Sequence, residues 1–229
     1  MSLPAWGDEQ VLKILAVHFL PYGFETPLNG LKGFDVEVIE AVFQGLAKQI
    51  KIEFLPWPRA VEIAYAGDAT ALLTCARIRS RDAHIYYSDA ISFGTDGYFL
   101  RKDYVDPGFN SLKELRGQKI AAVRGYSTLE NLVNLNIAHI AVRTDELALN
   151  VLHGKRVDIY YGPKEGNEFI AAQLGISNKI KFHPFKSKTY HLCFSKKWPG
   201  SEELVIEFNE GLSQLRADGI YQRIHDKYR

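Results

Sequence analysis

Residues 51–73 run KIEFLPWPRAVEIAYAGDATALL, which parses in turn as a strand, a helix and a strand. The alternation in KIEFLP is that of an extended segment. Ala60, Val61, Ile63 and Ala64 then give a short helix an apolar side, and Gly67 stands where a helix stops. Ala69 to Leu73 is apolar throughout, as a buried strand is. Two strands joined through a helix pair in parallel, and in such sheets ligands gather beyond the carboxyl ends of the strands. Upstream, Leu12–Val17 (LKILAV) reads as another strand and 18–33 (HFLPYGFETPLNGLKG) as turns. An amphipathic helix follows from near Gly33. Val38, Val42, Leu46 and Ile50, with Ile39 and Phe43 beside them, form its apolar stripe, opposite Glu37, Glu40, Gln44 and Lys48. Asp35 and Glu37 in the first turn and Lys48 in the last suit the helix macrodipole. The loops after Val17, Leu55 and Leu73 are therefore where a ligand is expected.

The same rhythm restarts after Gly117. A strand is expected over Lys119–Val123, a helix from Ser127, a strand over Ile137–Val142 and a helix over Asp145–Leu152, capped by Thr144 and ended by Gly154. Its core side is Leu147, Ala148, Val151 and Leu152. A strand over Val157–Tyr161 and a helix after Lys164 complete a second α/β unit. Gly97–Leu100 and Thr189–Phe194 read as extended segments that carry the chain between the units, and two crossings imply a hinge. The last stretch is a helix capped by Ser201, with Leu204, Val205, Phe208, Leu212 and Leu215 at helical spacing. Asp218-Gly219 breaks it before a short helix with Ile220, Tyr221 and Ile224. These assignments give one lobe of residues 1–93 plus 192–229 and a second of 94–191.

With 229 residues, 46% of them hydrophobic and 12% aromatic, the chain can bury a core in each unit without metal or disulfides. Twenty-eight basic residues against 27 acidic leave a net charge of +1, so no global field recruits nucleic acid or an anionic membrane. The apolar runs are far shorter than the roughly 20 residues that span a bilayer. Met1–Gln10 lacks the basic start and apolar stretch of a secretion signal. Met1-Ser2-Leu3 reads as a cloning remnant on a chain whose targeting segment was removed, an expectation checked against the native open reading frame. Cys75 and Cys193 lie 118 positions apart and match neither a metal site nor a redox pair. Two buried free thiols are the favoured reading, a disulfide the alternative. The seven histidines show no metal-ligand spacing, and neither metal nor cofactor is expected.

The order of motifs resembles the family 3 extracytoplasmic (periplasmic) solute-binding proteins of the polar amino acid ABC-transporter type. The matching stretches are Pro21-Tyr22-Gly23-Phe24, the run Gly30 to Val38, Leu55-Pro56-Trp57-Pro58-Arg59-Ala60 and Gly67-Asp68-Ala69. Arg81 with Ser88-Asp89, the run Ser111 to Gly117, Gly125-Tyr126-Ser127, the run Gly154 to Asp158 and the C-terminal Leu215 to Tyr228 continue the series. The resemblance implies a type II periplasmic-binding-protein fold, two α/β lobes joined by two hinge strands. It also implies capture of a small polar, carboxylate-bearing ligand between the lobes for the membrane permease of an ABC importer, by a monomer outside the cytoplasm.

By the same resemblance Arg81 grips the ligand carboxylate, its planar fork matching two oxygens at once. The structural alternative is a surface arginine paired with Asp82 or Asp89. Ile78 replaces the threonine of the family's Thr-x-x-Arg motif, and Arg77 in the same loop is a second candidate. Thr74 and Ala76 end the third strand where relatives present hydroxyls and main-chain groups; a Thr74 satisfied by backbone is the alternative. Trp57, between two prolines, is either an apolar or cation-π wall or a core residue. Tyr22 and Phe24 correspond to an aromatic lid or floor. Gly125, Tyr126, Ser127 and Thr128 form a strand-to-helix turn whose N–H groups favour an anion, with Ser127 also readable as a plain helix cap. His18 stands where some relatives carry an aspartate. Relatives that bind α-amino acids place an acid five positions after Asp158, where this chain has Pro163. Either Glu165 or another acid substitutes, or the ligand is not a standard α-amino acid, and Lys164 favours a second anionic group.

Two other functions compete. A sensory module would use the same closure to report to a signalling protein. A dehydratase resembling this family would use Glu165 as proton donor. No Ser/His/acid set with an elbow and no phosphate loop is present, so the chain is read as a binding protein rather than an enzyme.

Overall fold

A computed structural model describes residues 11–228, so the reading of Met1-Ser2-Leu3 and Met1–Gln10 lies outside the described residues. In chain order the elements are β1 (Leu12–Ala16), α1 (Phe34–Gly45), β2 (Ile50–Phe54), α2 (Trp57–Ala66), β3 (Ala71–Ala76) and β4 (Ile85–Arg101). Next come β5 (Ile120–Val123), α3 (Ser127–Asn134), β6 (Ile140–Val142), α4 (Asp145–His153), β7 (Ile159–Pro163) and α5 (Lys164–Gln173). β8 (Ile180–Ser195), α6 (Ser201–Ala217) and α7 (Ile220–Asp226) close the series. The chain divides into two compact units. One comprises the described residues up to Ser92 together with those from Tyr190 on; the other is Phe93–Thr189. The two longest strands, β4 and β8, each pass from one unit into the other.

In the first unit the strand order is β2-β1-β3-β8, with β1, β2 and β3 parallel and β8 antiparallel to β3. Parallel pairing puts the carboxyl ends of β1, β2 and β3 on one edge. Helix α1 starts at Gly33, whose φ is +99°. A Cβ at Gly33 would fall 2.4 Å from Gly23 Cα and 2.5 Å from the Tyr22 carbonyl oxygen, so sterics and backbone conformation both require glycine here. Val38, Ile39, Val42 and Phe43 face the core, and Phe43 meets Phe208 of α6 at 5.5 Å between ring centroids. Each such fully buried side chain contributes roughly 1.5–3 kcal/mol of burial free energy. The helix is shorter than its apolar stripe predicts. Ala47 turns to φ +53°, Ile50 begins β2 opposite Leu12, and Lys48 lies beyond the last turn, paired with Glu207 of α6 at 2.9 Å.

The cysteine reading is corrected. Cys75 and Cys193 are disulfide-bonded across a Cα–Cα distance of 6.0 Å. They sit on the neighbouring strands β3 and β8, where Leu72 opposes Cys193 and Cys75 opposes His191. Sequence separation hid this proximity, because the whole second unit is inserted between the two strands.

In the second unit the order is β4-β7-β5-β6, with β7, β5 and β6 parallel and β4 antiparallel to β7. Thr144 caps α4 as expected, its hydroxyl accepting the Leu147 N–H at 3.2 Å. The core side of α4 is rotated from the expected one: Leu149 is fully buried with Ala148 and Leu152, while Leu147 is exposed. Two helix caps also differ by one residue. Gly200 rather than Ser201 caps α6, and Tyr126 rather than Ser127 caps α3, which leaves both serines as the first helical residue.

Candidate functional site

In the first unit, polar and aromatic groups meet at the carboxyl edge of β1, β2 and β3. Trp57 opens α2 immediately after Pro56, with Pro58 in the first turn, where a missing N–H costs nothing. The Trp57 indole is buried, and the Arg81 guanidinium lies over it, 5.1 Å from the ring centroid. Arg81 closes a 3-10 turn, Arg79–Arg81. The residue is only 4% exposed. Its Nη1 donates to the Ala76 carbonyl at 2.8 Å and lies 3.8 Å from Cys75 Sγ. Arg81, Trp57, Ala76 and the disulfide therefore form one packed cluster, in which a buried fixed cation is held by a carbonyl and an aromatic face.

Thr74 occupies a β-bulge. Between the Leu72–Cys193 and Cys75–His191 pairs, β3 carries one residue more than β8, and Thr74 takes φ +54° there. The bulge turns its hydroxyl onto a buried carboxylate, and Thr74 Oγ1 donates to Asp35 Oδ2 at 2.7 Å. Asp35 is fully buried in the first turn of α1. Burial pushes its carboxyl up to about 7, against the opposing hydrogen bond from Thr74.

In the second unit the carboxyl ends of β5 and β7 carry the turn before α3 and the start of α5. Lys188 Nζ, from β8, lies 2.5 Å from Asp96 Oδ1 on β4 and 3.2 Å from Ser127 Oγ. Loss of solvent raises the Asp96 carboxyl above its usual range, with Lys188 opposing. Both Glu165 oxygens accept the Thr95 N–H, at 3.1 and 3.2 Å. Tyr161, pushed up to about 12 by burial and by Asp96, accepts from Asn131 Nδ2 at 3.3 Å. Thr128 is fully buried at the first turn of α3.

The sequence matches the bacterial extracellular solute-binding proteins, family 3, over residues 14–229. This chain belongs to that family. The probable amino-acid-binding protein YxeM of Bacillus subtilis is 24% identical over 229 residues, 96% of this chain and 84% of that protein. The L-arginine-binding protein of Pseudomonas aeruginosa is 24% identical over 255 aligned positions, 100% of this chain and 91% of that protein. Among solved structures, a histidine kinase sensor domain with similarity to periplasmic binding proteins superposes with a TM-score of 0.85 at 21% identity, covering 96% of each chain. The fold of this family 3 protein is the two-lobed α/β fold of periplasmic binding proteins, type II.

The remaining sequence candidates of the family 3 protein fall in different places. Tyr22 is fully buried, stacked on Phe19 at 4.8 Å and edge-on to Phe34 and Tyr190. Phe24 is buried with its ring edge toward Tyr228. His18 is exposed, its Nδ1 accepting the Glu25 N–H at 3.1 Å. Arg77 is exposed, its guanidinium 5.2 Å from the Tyr87 ring centroid and 3.8 Å from Asp82. In the second unit the Tyr126 hydroxyl donates to Asp145 Oδ2 at 2.9 Å, in a network where Tyr160 and Asn167 bond Asp145 Oδ1 at 2.5 and 2.9 Å. Gly125, at φ +77°, lets the chain turn from β5 into α3.

Sequence reasoning missed Asp35, Asp96 and Lys188. The signal for the last two was present, since each is the residue immediately before a segment read as crossing, Gly97–Leu100 and Thr189–Phe194.

Proposed function

We propose that this family 3 protein captures a small polar, carboxylate-bearing ligand, an amino acid or related organic acid, outside the cytoplasm and delivers it to the permease of an ABC importer. The observation that carries this reading is Arg81: a guanidinium packed against Trp57 and Ala76 at the carboxyl edge of three parallel strands. Such a cation is oriented in advance and costs little to order when a carboxylate arrives. Ala76, Thr74 and Trp57 border it in the first unit. In the second unit Gly125, Ser127 and Thr128 offer the N-terminus of α3. Membership of a family described as extracellular and the disulfide, which persists in oxidising compartments, support the location. The chain acts as a monomeric binder without cofactor rather than as an enzyme.

Thermal-shift screening of amino acids and organic acids tests the binding function, since a ligand at 100 times its Kd adds about 2.7 kcal/mol to the folded state. Against any carboxylate that binds, Arg81→Ala is expected to weaken affinity by about 2 kcal/mol or more, and Arg81→Lys to recover only part of it. Near-UV circular dichroism serves as the check on folding. Unchanged calorimetric affinity in a folded Arg81→Ala protein removes Arg81 from the site. Because the same fold serves a histidine kinase sensor domain, the second reading is a sensing module. Neighbouring genes for a permease and an ATPase mark delivery; genes for a kinase or cyclase mark sensing.

A further inference from the structure

The second unit presents an unusual charge arrangement at its strand ends. Three acids, Asp96, Asp145 and Glu165, lie about the strand ends and the turn before α3, and each is already engaged within the unit, Asp145 by Tyr126, Tyr160 and Asn167. Asp96, buried on β4, is met at 2.5 Å by Lys188, which reaches from the neighbouring β8 and also donates to Ser127 Oγ at 3.2 Å. Glu165 turns both oxygens to the Thr95 N–H. Lys186 adds a further positive charge near Asp96, and Lys164 sits at the start of α5, 3.8 Å from Glu168. An incoming ammonium group would have to displace one already seated on Asp96, against the repulsion of a second cation. A buried charge that loses its partner is costly, so the exchange is unfavourable on both counts. A carboxylate, hydroxyl or carbonyl oxygen meets the opposite situation, since Lys188 and the first N–H groups of α3 are donors.

We infer that Lys188, seated on Asp96 and Ser127, is a specificity-determining residue that rejects ligands bearing an ammonium group and selects small organic acids lacking one, such as dicarboxylates and oxo acids. This rests on the binding function proposed above and names its substrate class. Lys188 serves as a built-in ammonium, held by the acid that would otherwise receive the ligand's. Its release would convert the subsite.

The test uses the full chain and four probes that differ in this one respect: 2-oxoglutarate, succinate, L-glutamate and L-arginine, measured by calorimetry. The wild-type protein is expected to bind 2-oxoglutarate or succinate at least 10-fold more tightly than L-glutamate, with L-arginine weakest. Lys188→Met exposes Asp96 and is expected to lose at least 10-fold toward the oxo acid while gaining toward L-glutamate. Should that variant not fold, the double variant Lys188→Met/Asp96→Asn removes both charges together, and the preference between 2-oxoglutarate and L-glutamate is expected to fall below 3-fold. A wild-type preference for either amino acid overturns the inference and leaves the binding function standing. So does a ranking unchanged in the folded variant. No binding of any probe or of the wider thermal-shift panel overturns both.

Discussion

Reducing the Cys75–Cys193 bond lowers the thermal unfolding midpoint of this protein by about 10 °C. The expectation follows from what the bond connects. The first unit is assembled from two segments, up to Ser92 and from Tyr190 on, with the second unit inserted between them. The disulfide joins β3 to β8 across a sequence separation of 118 residues and is the covalent tie between those segments. Closing a loop of that order restricts the unfolded chain by about 4–5 kcal/mol, and removing such a bond costs about 2–5 kcal/mol. For a chain of this size about 1 kcal/mol moves the midpoint by roughly 2–4 °C. The bond also lies beside Arg81 Nη1, so reduction should loosen the cluster around the guanidinium as well as the fold. Thiol titration of the unreduced protein should find neither cysteine free. Thermal scans with and without reductant, repeated on Cys75→Ala/Cys193→Ala, give the magnitude. A midpoint that does not respond to reductant would show that β3 and β8 are held by their ladder alone.

The second large effect concerns pH. Asp35 is buried, with the Thr74 hydroxyl donating to Oδ2 and Ser92 the second side chain that opposes the effect of burial on its carboxyl. Burial raises its carboxyl from 3.8 to about 7. Between those values the folded protein holds a proton that the unfolded chain has lost. Stability contributed by this group is therefore full below pH 4, falls as pH rises through 7, and is level above that. The loss is on the order of 4 kcal/mol. Asp35→Asn stays neutral at every pH while its carboxamide oxygen still accepts from Thr74. The variant is expected to match the wild type near pH 4 and to exceed it by up to that amount at pH 8 in denaturant unfolding. Glu37, Asp103, Asp106 and Glu114 are held below their usual ranges and give slopes of the opposite sign, so the difference between the two proteins isolates Asp35. Parallel curves across that range would mean that the buried carboxyl is already ionised at pH 4.

The contrast between legible and hidden features runs along the chain. The periodicity of residues 34–45 identified the inner face of α1, because helical spacing of apolar side chains depends only on local geometry. It failed at Ile50, since an apolar residue at the next helical position is indistinguishable from the first residue of a strand until the turn at Ala47 is known. On α4 the apolar run Leu147-Ala148-Leu149 allowed two inward faces, and contact with the strands chose the one that includes Leu149. The bulge at Thr74 left no mark in the sequence; it exists only as a mismatch between paired strands.

The alternation of strands and helices, the start of α1 near Gly33 and the family itself followed from the sequence alone, because each rests on local conformational preference or on the order of motifs. The extended segment Gly97–Leu100, read as a crossing, instead lies inside the second unit, paired with β7. The disulfide, the burial of Asp35 under Thr74, the seat of Arg81 on Trp57 and the Lys188–Asp96 pair were decided only by tertiary structure. Each joins residues that are distant along the chain, and such proximity is set by which strands lie side by side, information that no single segment contains.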